Sequence, residues 1–205
     1  LNMFSDLGIH ANKSIIVSNQ DDLLVQSKSL SFPVVLKTAV KNVFHKSELN
    51  AVYLDIESQE HLLESYEELQ KNLPGDALLA SMIESNGIEM ILGMTKDQQL
   101  GPMITIGFGG YYAEALKDAV TLMPPFTAET AKKAIQSLRM KVMLDGYRGT
   151  DPVDINAFAQ MASLFSLIAI EFKEQVSEID INPVILGKDN CIAVDALISL
   201  HQQNK

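Results

Sequence analysis

The stretch FPVVLKTAVKNVFHKSELNAV, residues 32–52, decides how the rest of the chain is interpreted. Its first half contains an apolar, β-branched run, Val34–Leu36, which predicts a buried strand ending at Lys37. Its second half carries the polar triplet HKS at 45–47, and a second short strand is predicted over 52–56. The predicted unit is a strand, a polar loop and a strand, and its lysine can point from the sheet towards an anion.

The composition narrows the possible partners and compartments. At 47% hydrophobic over 205 residues, the chain can bury a sizeable core, enough for two small lobes. A formal net charge of -10 argues against a nucleic-acid or anionic-membrane partner, because no basic patch would neutralise phosphates. No long apolar run and no signal-peptide pattern is present, so a cytoplasmic location is expected. The single cysteine, Cys191, is expected to be a core thiol, in keeping with a reducing compartment.

Glycine is distributed unevenly along the chain. No glycine lies between Ile9 and Pro74, whereas residues 75–110 contain seven of the eleven, and this change predicts a boundary near residue 83. Before that boundary, Ser18 and Ser58 are predicted to cap two helices that lead the chain back to strands. The opening of the chain is therefore predicted as alternating strands and helices.

The middle of the chain is predicted to contain the flexible loops. Strands are predicted over 78–83 and 89–93, joined by ESNG at 84–87 as a hairpin or a hinge. A further strand over 103–106 runs into GFGG at 107–110, where small residues let backbone N–H groups approach an anion. Taken alone, a GxGG is a weak signal that also describes a plain turn.

Two helices are predicted in the second half. One begins after Thr127 and extends to about Met140, and the other is capped by Asp154 and extends to about Lys173. The second helix has an apolar stripe at helical spacing, which predicts a core contact: Phe158, Met161, Phe165, Ile168 and Phe172.

The last segment contains candidate metal ligands. Residues 178–183, EIDINP, alternate polar and apolar side chains, so Glu178, Asp180 and Asn182 are expected on one side of a strand. A second strand over 191–198 carries Asp195 among apolar residues. A carboxylate and an amide carbonyl on adjacent strands suit Mg²⁺ that bridges to phosphates, and a hydrogen-bonded structural aspartate is the alternative.

Six motifs in order resemble a known family. They are FPVVLK, HKS followed by an acid, ILGMTKD with LGP, GFGG with a later LKD, LDGYRGTDPVD, and DINPV followed by AVDA. Together they resemble the ATP-grasp domain of the NDP-forming acyl-CoA synthetases, relatives of ADP-forming acetyl-CoA synthetase and, more remotely, of the succinyl-CoA synthetase β subunit. The resemblance implies an α/β (α+β) fold with a smaller lobe, 14–82, and a larger lobe, 1–13 with 83–205, and a nucleotide cleft between them.

The resemblance also implies a magnesium-dependent ATP or ADP site. His45 matches a phosphoryl-carrying histidine, and Asn182 and Asp195 match the magnesium ligands. The hinge would frame adenine, while lysines and the glycine-rich stretch would lie along the phosphates. The nucleotide-binding residues implied in this way are Lys37, Lys46, Ser81, Met82, Ile83, Glu84, Gly107, Gly109 and Gly110.

The chain departs from the family pattern in two places. Asn50 and Ala51 stand where relatives usually have two glycines, and Ala80 stands where they have glutamine before the hinge. The CoA-binding and CoA-ligase domains of the family are not within the 205 residues, so they are expected as partner domains or subunits. Two functions stay open: the nucleotide-binding part of an acyl-CoA synthetase, or a non-catalytic regulatory module, as in fusions to protein lysine acetyltransferases.

Overall fold

A computed structural model of the chain describes residues 1–40, 51–83, 87–110 and 116–201. The chain divides into two compact units, a smaller one of Asn12–Ile83 and a larger one of Leu1–Ala11 with Glu84–Lys205. In chain order the elements are α1 (Asn2–Asp6), β1 (Ser14–Val17), α2 (Gln20–Ser27), β2 (Val34–Thr38), β3 (Val52–Ile56), α3 (Gln59–Asn72), β4 (Ala77–Ser81), β5 (Ile88–Asp97), β6 (Gly101–Phe108), β7 (Ala119–Leu122), α4 (Ala128–Gln136), α5 (Ile155–Glu171), β8 (Val176–Leu186), β9 (Cys191–Ala193) and β10 (Ala196–Leu200).

The smaller unit is built on a four-stranded antiparallel sheet with the order β1–β4–β2–β3. β3 has the predicted bounds, while β2 continues one residue past Lys37, so the lysine lies within the strand. Helix α3 buries Leu62, Tyr66 and Leu69, at the spacing of one helical face, in the core of this unit. The amphipathic pattern of the sequence therefore decides which face of α3 is covered.

The N-terminal caps of α2 and α3 agree with the prediction in one case and differ from it in the other. Ser58 caps α3 as predicted, because its side chain accepts a 3.1 Å hydrogen bond from the N–H of His61. The prediction that Ser18 caps α2 is wrong. Asn19 is the cap, and its Oδ1 accepts from the N–H of Asp22 at 2.9 Å. Serine and asparagine side chains can both cap a helix. Asn19 is the cap here because it has the extended backbone of a capping residue and directly precedes the first helical residue, Gln20.

The larger unit is built on an antiparallel sheet with the order β10–β8–β5–β6–β7, and β9 also pairs with β8. Helices α4 and α5 pack on one face, and α1 joins them through the rings of Phe4 and Phe165, 6.5 Å apart. The predicted cap Asp154 is confirmed, since its side chain accepts from the N–H of Ala157. Helix α4 begins after Thr127 as predicted, and the Thr127 side chain caps it by accepting from the N–H of Thr130. Within the described residues, no helix combines the length and the apolar character needed to cross a membrane.

Three predicted elements differ from the structure. Strands β4 and β5 belong to different sheets, so the hairpin alternative for 84–87 is wrong. Helix α4 ends at Gln136 rather than near Met140. The predicted strand over 191–198 is interrupted at 194–195, which places Asp195 between β9 and β10.

Cys191 is a core thiol, as predicted. It lies at the start of β9 with 5% of its surface exposed. Burial, with a smaller contribution from the Asp154 carboxylate, raises the pKa of the Cys191 thiol to about 12. The thiol therefore stays protonated at physiological pH and acts as a small apolar side chain.

Candidate functional site

Lys37 lies near the middle of the small sheet. Across the strands it pairs with Leu78 of β4 and Val52 of β3, and Leu78 pairs in turn with Ile16 of β1. Directly opposed residues project from the same face of a sheet. Lys37, which is 7% exposed, is therefore the one cation in a row of apolar side chains across this face. An apolar surface with an ammonium group suits a ligand that has both a flat ring and an anionic group.

The predicted hinge follows β4, and two of its backbone groups have fixed partners. The Ser81 carbonyl accepts a 2.8 Å hydrogen bond from Nδ2 of Asn12. The N–H of Met82 donates to the carbonyl of Pro33 at 3.0 Å. Sequence reasoning missed Asn12, because nothing in its polar local sequence signals a contact with a residue 69 positions away.

The glycine-rich stretch is only partly a loop. Gly107 lies in β6 between Ile91 of β5 and Ala119 of β7. A Cβ at Gly107 would lie 2.7 Å from Cβ of Ala119 and 2.9 Å from the Asp118 carbonyl oxygen, so sheet packing itself requires a glycine. The expectation of a loop over all of 107–110 is therefore wrong for its first two residues.

The end of this stretch is attached to its sheet. The N–H of Phe108 donates to the carbonyl of Asp118 at 3.1 Å, and the N–H of Gly109 donates to the carbonyl of Glu89 at 2.7 Å. Gly110 has a φ of +73°, and a Cβ there would lie 2.6 Å from Oε2 of Glu89. Two of the N–H groups expected near an anion are thus bonded to carbonyl groups.

Asp118 holds the neighbouring turn in place, which the sequence did not reveal. Its carboxylate is buried and accepts from the backbone N–H groups of Arg139, at 3.0 Å, and Met140, at 2.8 Å. Burial opposes ionisation of Asp118, but these two bonds and the Arg139 guanidinium outweigh it, and the pKa lies below its ordinary value. Asp118 thereby joins the start of β7 to the turn after α4.

Asn182 and Asp195 face each other, as the metal-ligand prediction requires. The N–H of Asn182 donates to the carbonyl of Asp195 at 3.1 Å, and Ala196 pairs with Ile181 in the next position of the antiparallel ladder. Oδ1 of Asp195 accepts from the N–H of Ala196 at 2.9 Å. The Asp195 carboxylate acts on the pKa of Asp180, whose side chain projects from the same side of β8 as Asn182, so the Asn182 and Asp195 side chains share a face of the large sheet.

Asp180 belongs to the same face, and its side chain is in an unusual environment. Ile179 and Ile181 are buried on the helix side of β8, while Glu178, Asp180 and Asn182 project from the other side, as predicted. Burial, reinforced by the carboxylates of Glu178 and Asp195, raises the pKa of Asp180, although a hydrogen bond with Asn182 opposes the shift. Negative charge is therefore concentrated next to the two candidate ligands.

The residues present fit a magnesium ion that completes its coordination from the solvent and the substrate. Among the residues that the structure describes, no group of three His, Cys, Asp or Glu side chains could hold a metal alone. Mg²⁺ in phosphate-binding sites is commonly held by one or two protein oxygens, with water and phosphate oxygens as the other ligands. Asn182 and Asp195 supply two such oxygens, and the crowded carboxylates favour a cation.

Three predicted site residues lie outside the described part of the chain. They are His45 and Lys46, within 41–50, and Glu84, within 84–86. The remaining predicted residues divide between the two units. Lys37, Ser81, Met82 and Ile83 belong to the smaller unit, and the three glycines with Asn182 and Asp195 belong to the larger one.

Comparison with known sequences connects this geometry to one family. Residues 2–200 match the ATP-grasp domain. The β subunit of an ADP-forming acetate–CoA ligase from Pyrococcus furiosus is 33% identical over 200 residues, covering 94% of this chain and 86% of that subunit. An ADP-forming acetate–CoA ligase of Archaeoglobus fulgidus is 32% identical over 96% of this chain, and the match covers 29% of that longer protein.

A solved structure agrees with this match. Acetyl-coenzyme A synthetase 1 of Candidatus Korarchaeum cryptofilum, in complex with coenzyme A and Mg-AMPPCP, gives a TM-score of 0.87 at 30% identity. The superposition covers 98% of this chain and 89% of that one. The predicted ATP-grasp fold is confirmed. The chain belongs to the ATP-grasp domain family, and it corresponds to one part of the ADP-forming acyl-CoA ligases.

Proposed function

We propose that the chain is the nucleotide-binding part of an NDP-forming acyl-CoA synthetase, in which it couples the cleavage of ATP to acyl-CoA formation. The observation that carries the proposal is the backbone hydrogen bond that sets Asn182 opposite Asp195, between the β8–β10 and β8–β9 ladders. It brings an amide and a carboxylate oxygen to one face, beside the half-buried Asp180. A polyphosphate with its magnesium ion is the ligand that this combination suits best.

The binding roles follow from the charges of the residues. Lys37 and Lys46 neutralise phosphate oxygens, and a charge-assisted contact of this kind is both strong and orienting. Asn182 and Asp195 hold Mg²⁺, which when bound neutralises charge on the phosphates. The segment 81–84 receives the purine through its backbone groups. Gly107, Gly109 and Gly110 would keep side chains away from the phosphates, in addition to the sheet packing that requires a glycine at position 107.

His45 is proposed to carry the phosphoryl group. A neutral imidazole nitrogen attacks the terminal phosphorus of ATP, the bond to the bridging oxygen breaks, and ADP leaves. The phosphoryl group then passes to a partner domain that carries out the acyl chemistry. The supporting observation is that the Korarchaeum enzyme has a phosphohistidine segment that points towards its nucleotide-binding site.

The proposed enzyme also needs CoA-binding and CoA-ligase domains, which lie outside these 205 residues. The chain covers 86% of a relative that is a β subunit and 29% of a relative that is one longer protein. CoA binding and thioester formation are therefore assigned to the remaining parts of the enzyme. The choice of acyl substrate is assigned to those parts as well.

A regulatory module is the second candidate function. It is favoured by Asn50 and Ala51, since glycines at these positions would let a phosphoryl-carrying loop change conformation easily. A regulatory module would bind nucleotide without transferring a phosphoryl group. The two functions therefore differ in whether His45 becomes labelled.

The first experiment is calorimetry of ATP binding with Mg²⁺ and with EDTA. We expect Mg²⁺ to strengthen ATP binding, and an ATP affinity that is equal in both conditions would contradict the metal assignment.

The second experiment mixes the chain with the complementary subunit of a relative and with γ-labelled ATP, using wild type and His45→Ala. We expect acid-labile label in wild type alone. Equal label in both removes His45 from the mechanism, and no label in either supports the regulatory module.

A further inference from the structure

The peptide group between Ser81 and Met82 is held at both of its polar atoms. Its carbonyl oxygen, from Ser81, accepts from Nδ2 of Asn12 at 2.8 Å. Its N–H, from Met82, donates to the carbonyl of Pro33 at 3.0 Å. Since a peptide group is planar, two bonds on opposite edges fix its orientation. This peptide group is the first in the segment that the proposed function assigns to the purine.

Asn12 replaces a strand partner that β1 does not provide. β1 begins at Ser14, which pairs with Ala80, so Ser81 lies one position beyond the last pair of that ladder. The side chain of Asn12 reaches the Ser81 carbonyl from this side and is itself 7% exposed. Burying the Asn12 side-chain amide costs free energy unless the amide makes hydrogen bonds. The Ser81 carbonyl supplies such a bond in place of water.

We infer that Asn12 is a positioning residue for purine selection. This inference rests on the proposed nucleotide-binding function. With the Ser81 carbonyl occupied by Asn12, the Met82 carbonyl is the next acceptor along the segment. Only the φ and ψ rotations of Met82 separate it from the fixed peptide group, which therefore restricts its direction. Adenine presents a 6-amino donor to such a carbonyl, whereas guanine presents a 6-oxo acceptor that repels it. A held carbonyl therefore favours ATP over GTP, and a carbonyl free to turn away discriminates less.

The test compares three ligands, each with Mg²⁺: ATP, GTP and inorganic tripolyphosphate. Asn12→Leu removes the donor and keeps the branched shape and the number of heavy atoms of the side chain. In wild type we expect tighter binding of ATP than of GTP. In Asn12→Leu we expect the ratio of ATP to GTP affinity to fall by about fivefold or more, the size of one hydrogen-bond contribution. Tripolyphosphate affinity should stay unchanged, because the phosphate contacts are separate from the purine segment.

Asn19→Leu is the matched control. It removes the side-chain cap of α2 in the same unit, so it should lower the melting temperature without changing the ATP-to-GTP ratio. If Asn12→Leu does not fold, Asn12→Ser is measured in its place, since serine is too short to reach the Ser81 carbonyl. The same fall in the ratio is expected.

The outcomes separate this inference from the proposed function. An unchanged ratio of ATP to GTP affinity in the Asn12 variant overturns the inference alone. An equal loss of affinity for all three ligands also overturns it, because it indicates a purely structural role for Asn12. A wild-type chain that binds neither nucleotide overturns the proposed function and the inference together.

Discussion

The backbone N–H of Asn182 donates to the carbonyl oxygen of Asp195 over 3.1 Å, and this bond places the two residues opposite each other. The pairs on either side, Ile181 with Ala196 and Val184 with Ala193, keep the same register. A slip of one residue would turn one of the two side chains to the other face of the sheet. The register of this ladder therefore decides whether the two oxygens can serve a single cation.

The first prediction concerns the metal. Asp195→Asn keeps an acceptor for the N–H of Ala196 but removes the negative charge. We expect the strengthening of ATP binding by Mg²⁺ to fall at least about tenfold, or about 1.4 kcal/mol, while affinity in EDTA is unchanged. Calorimetry with MgCl₂ and with EDTA measures both values. Asp189→Asn, an exposed acid in the β8–β9 turn, is the control, and an equal response of the two variants would exclude Asp195 as a ligand.

The second prediction concerns Lys37. Lys37→Met keeps most of the volume of this buried side chain and removes its charge. ATP binding should weaken by about 1.5–3 kcal/mol, the usual contribution of a charge-assisted contact. The measurement is ATP titration at constant Mg²⁺, with circular dichroism to verify folding. The control is Lys71→Met, an exposed lysine in the last turn of α3. Wild-type affinity in folded Lys37→Met would contradict a phosphate-binding role.

The third prediction concerns the packing of Gly107. In Gly107→Ala the new Cβ would meet the backbone of the neighbouring strand, so we expect a loss of about 1–3 kcal/mol in the free energy of unfolding. Gly93→Ala is a matched control in the adjacent strand, where the nearest atom would lie 3.7 Å away. Its stability should stay within about 1 kcal/mol of wild type. Urea denaturation compares the two, and equal losses would mean that the sheet adapts at Gly107.

The fourth prediction concerns Asp118 and acid. Because its folded pKa lies below the unfolded value, near 3.9, its contribution is present above that pH and is lost as the pH falls through the folded pKa. Asp118→Asn should cost about 2 kcal/mol at pH 7, and less below the unfolded pKa. Urea denaturation across this pH range measures the difference. Asp145→Asn, an exposed acid nearby, should cost little at any pH.

The fifth prediction concerns Asp180, whose ionised form is disfavoured in the folded chain. Its raised folded pKa means that stability decreases as the pH rises from the unfolded pKa through the folded one. Asp180→Asn should therefore raise the melting temperature of the ligand-free chain at pH 7, by about 2–4 °C for each 1 kcal/mol gained. Differential scanning calorimetry tests this. The gain should disappear at low pH, and Glu57→Gln, at an exposed site, should show none.

A variant Asp180→Asn that is less stable than wild type at pH 7 would contradict this account. It would mean that the hydrogen bond with Asn182 outweighs the burial and repulsion of the charge. Such a result would leave the proposed ligands Asn182 and Asp195 in place, because their register does not depend on the ionisation of Asp180.

Local periodicity in the sequence determined much of the secondary structure. The alternation over 178–183 correctly placed Asp180 and Asn182 on one side of a strand, and the capping serine at 58 correctly located α3. Such patterns are reliable because a strand repeats every two residues and a helix every 3.6, whatever the rest of the chain does. The family was also evident from the sequence, because its motifs occur in order along nearly the whole chain.

Tertiary structure alone decided how distant segments meet. The assignment of β4 and β5 to different sheets, the break at Asp195 and the inclusion of Gly107 in β6 depend on pairing between strands. The hydrogen bond from Asn12 to Ser81 joins residues 69 positions apart, and the local sequence around either residue does not indicate this contact. The candidate site residues were proposed from the sequence, whereas their hydrogen-bond partners depend on backbone pairing and packing that form only when the chain folds.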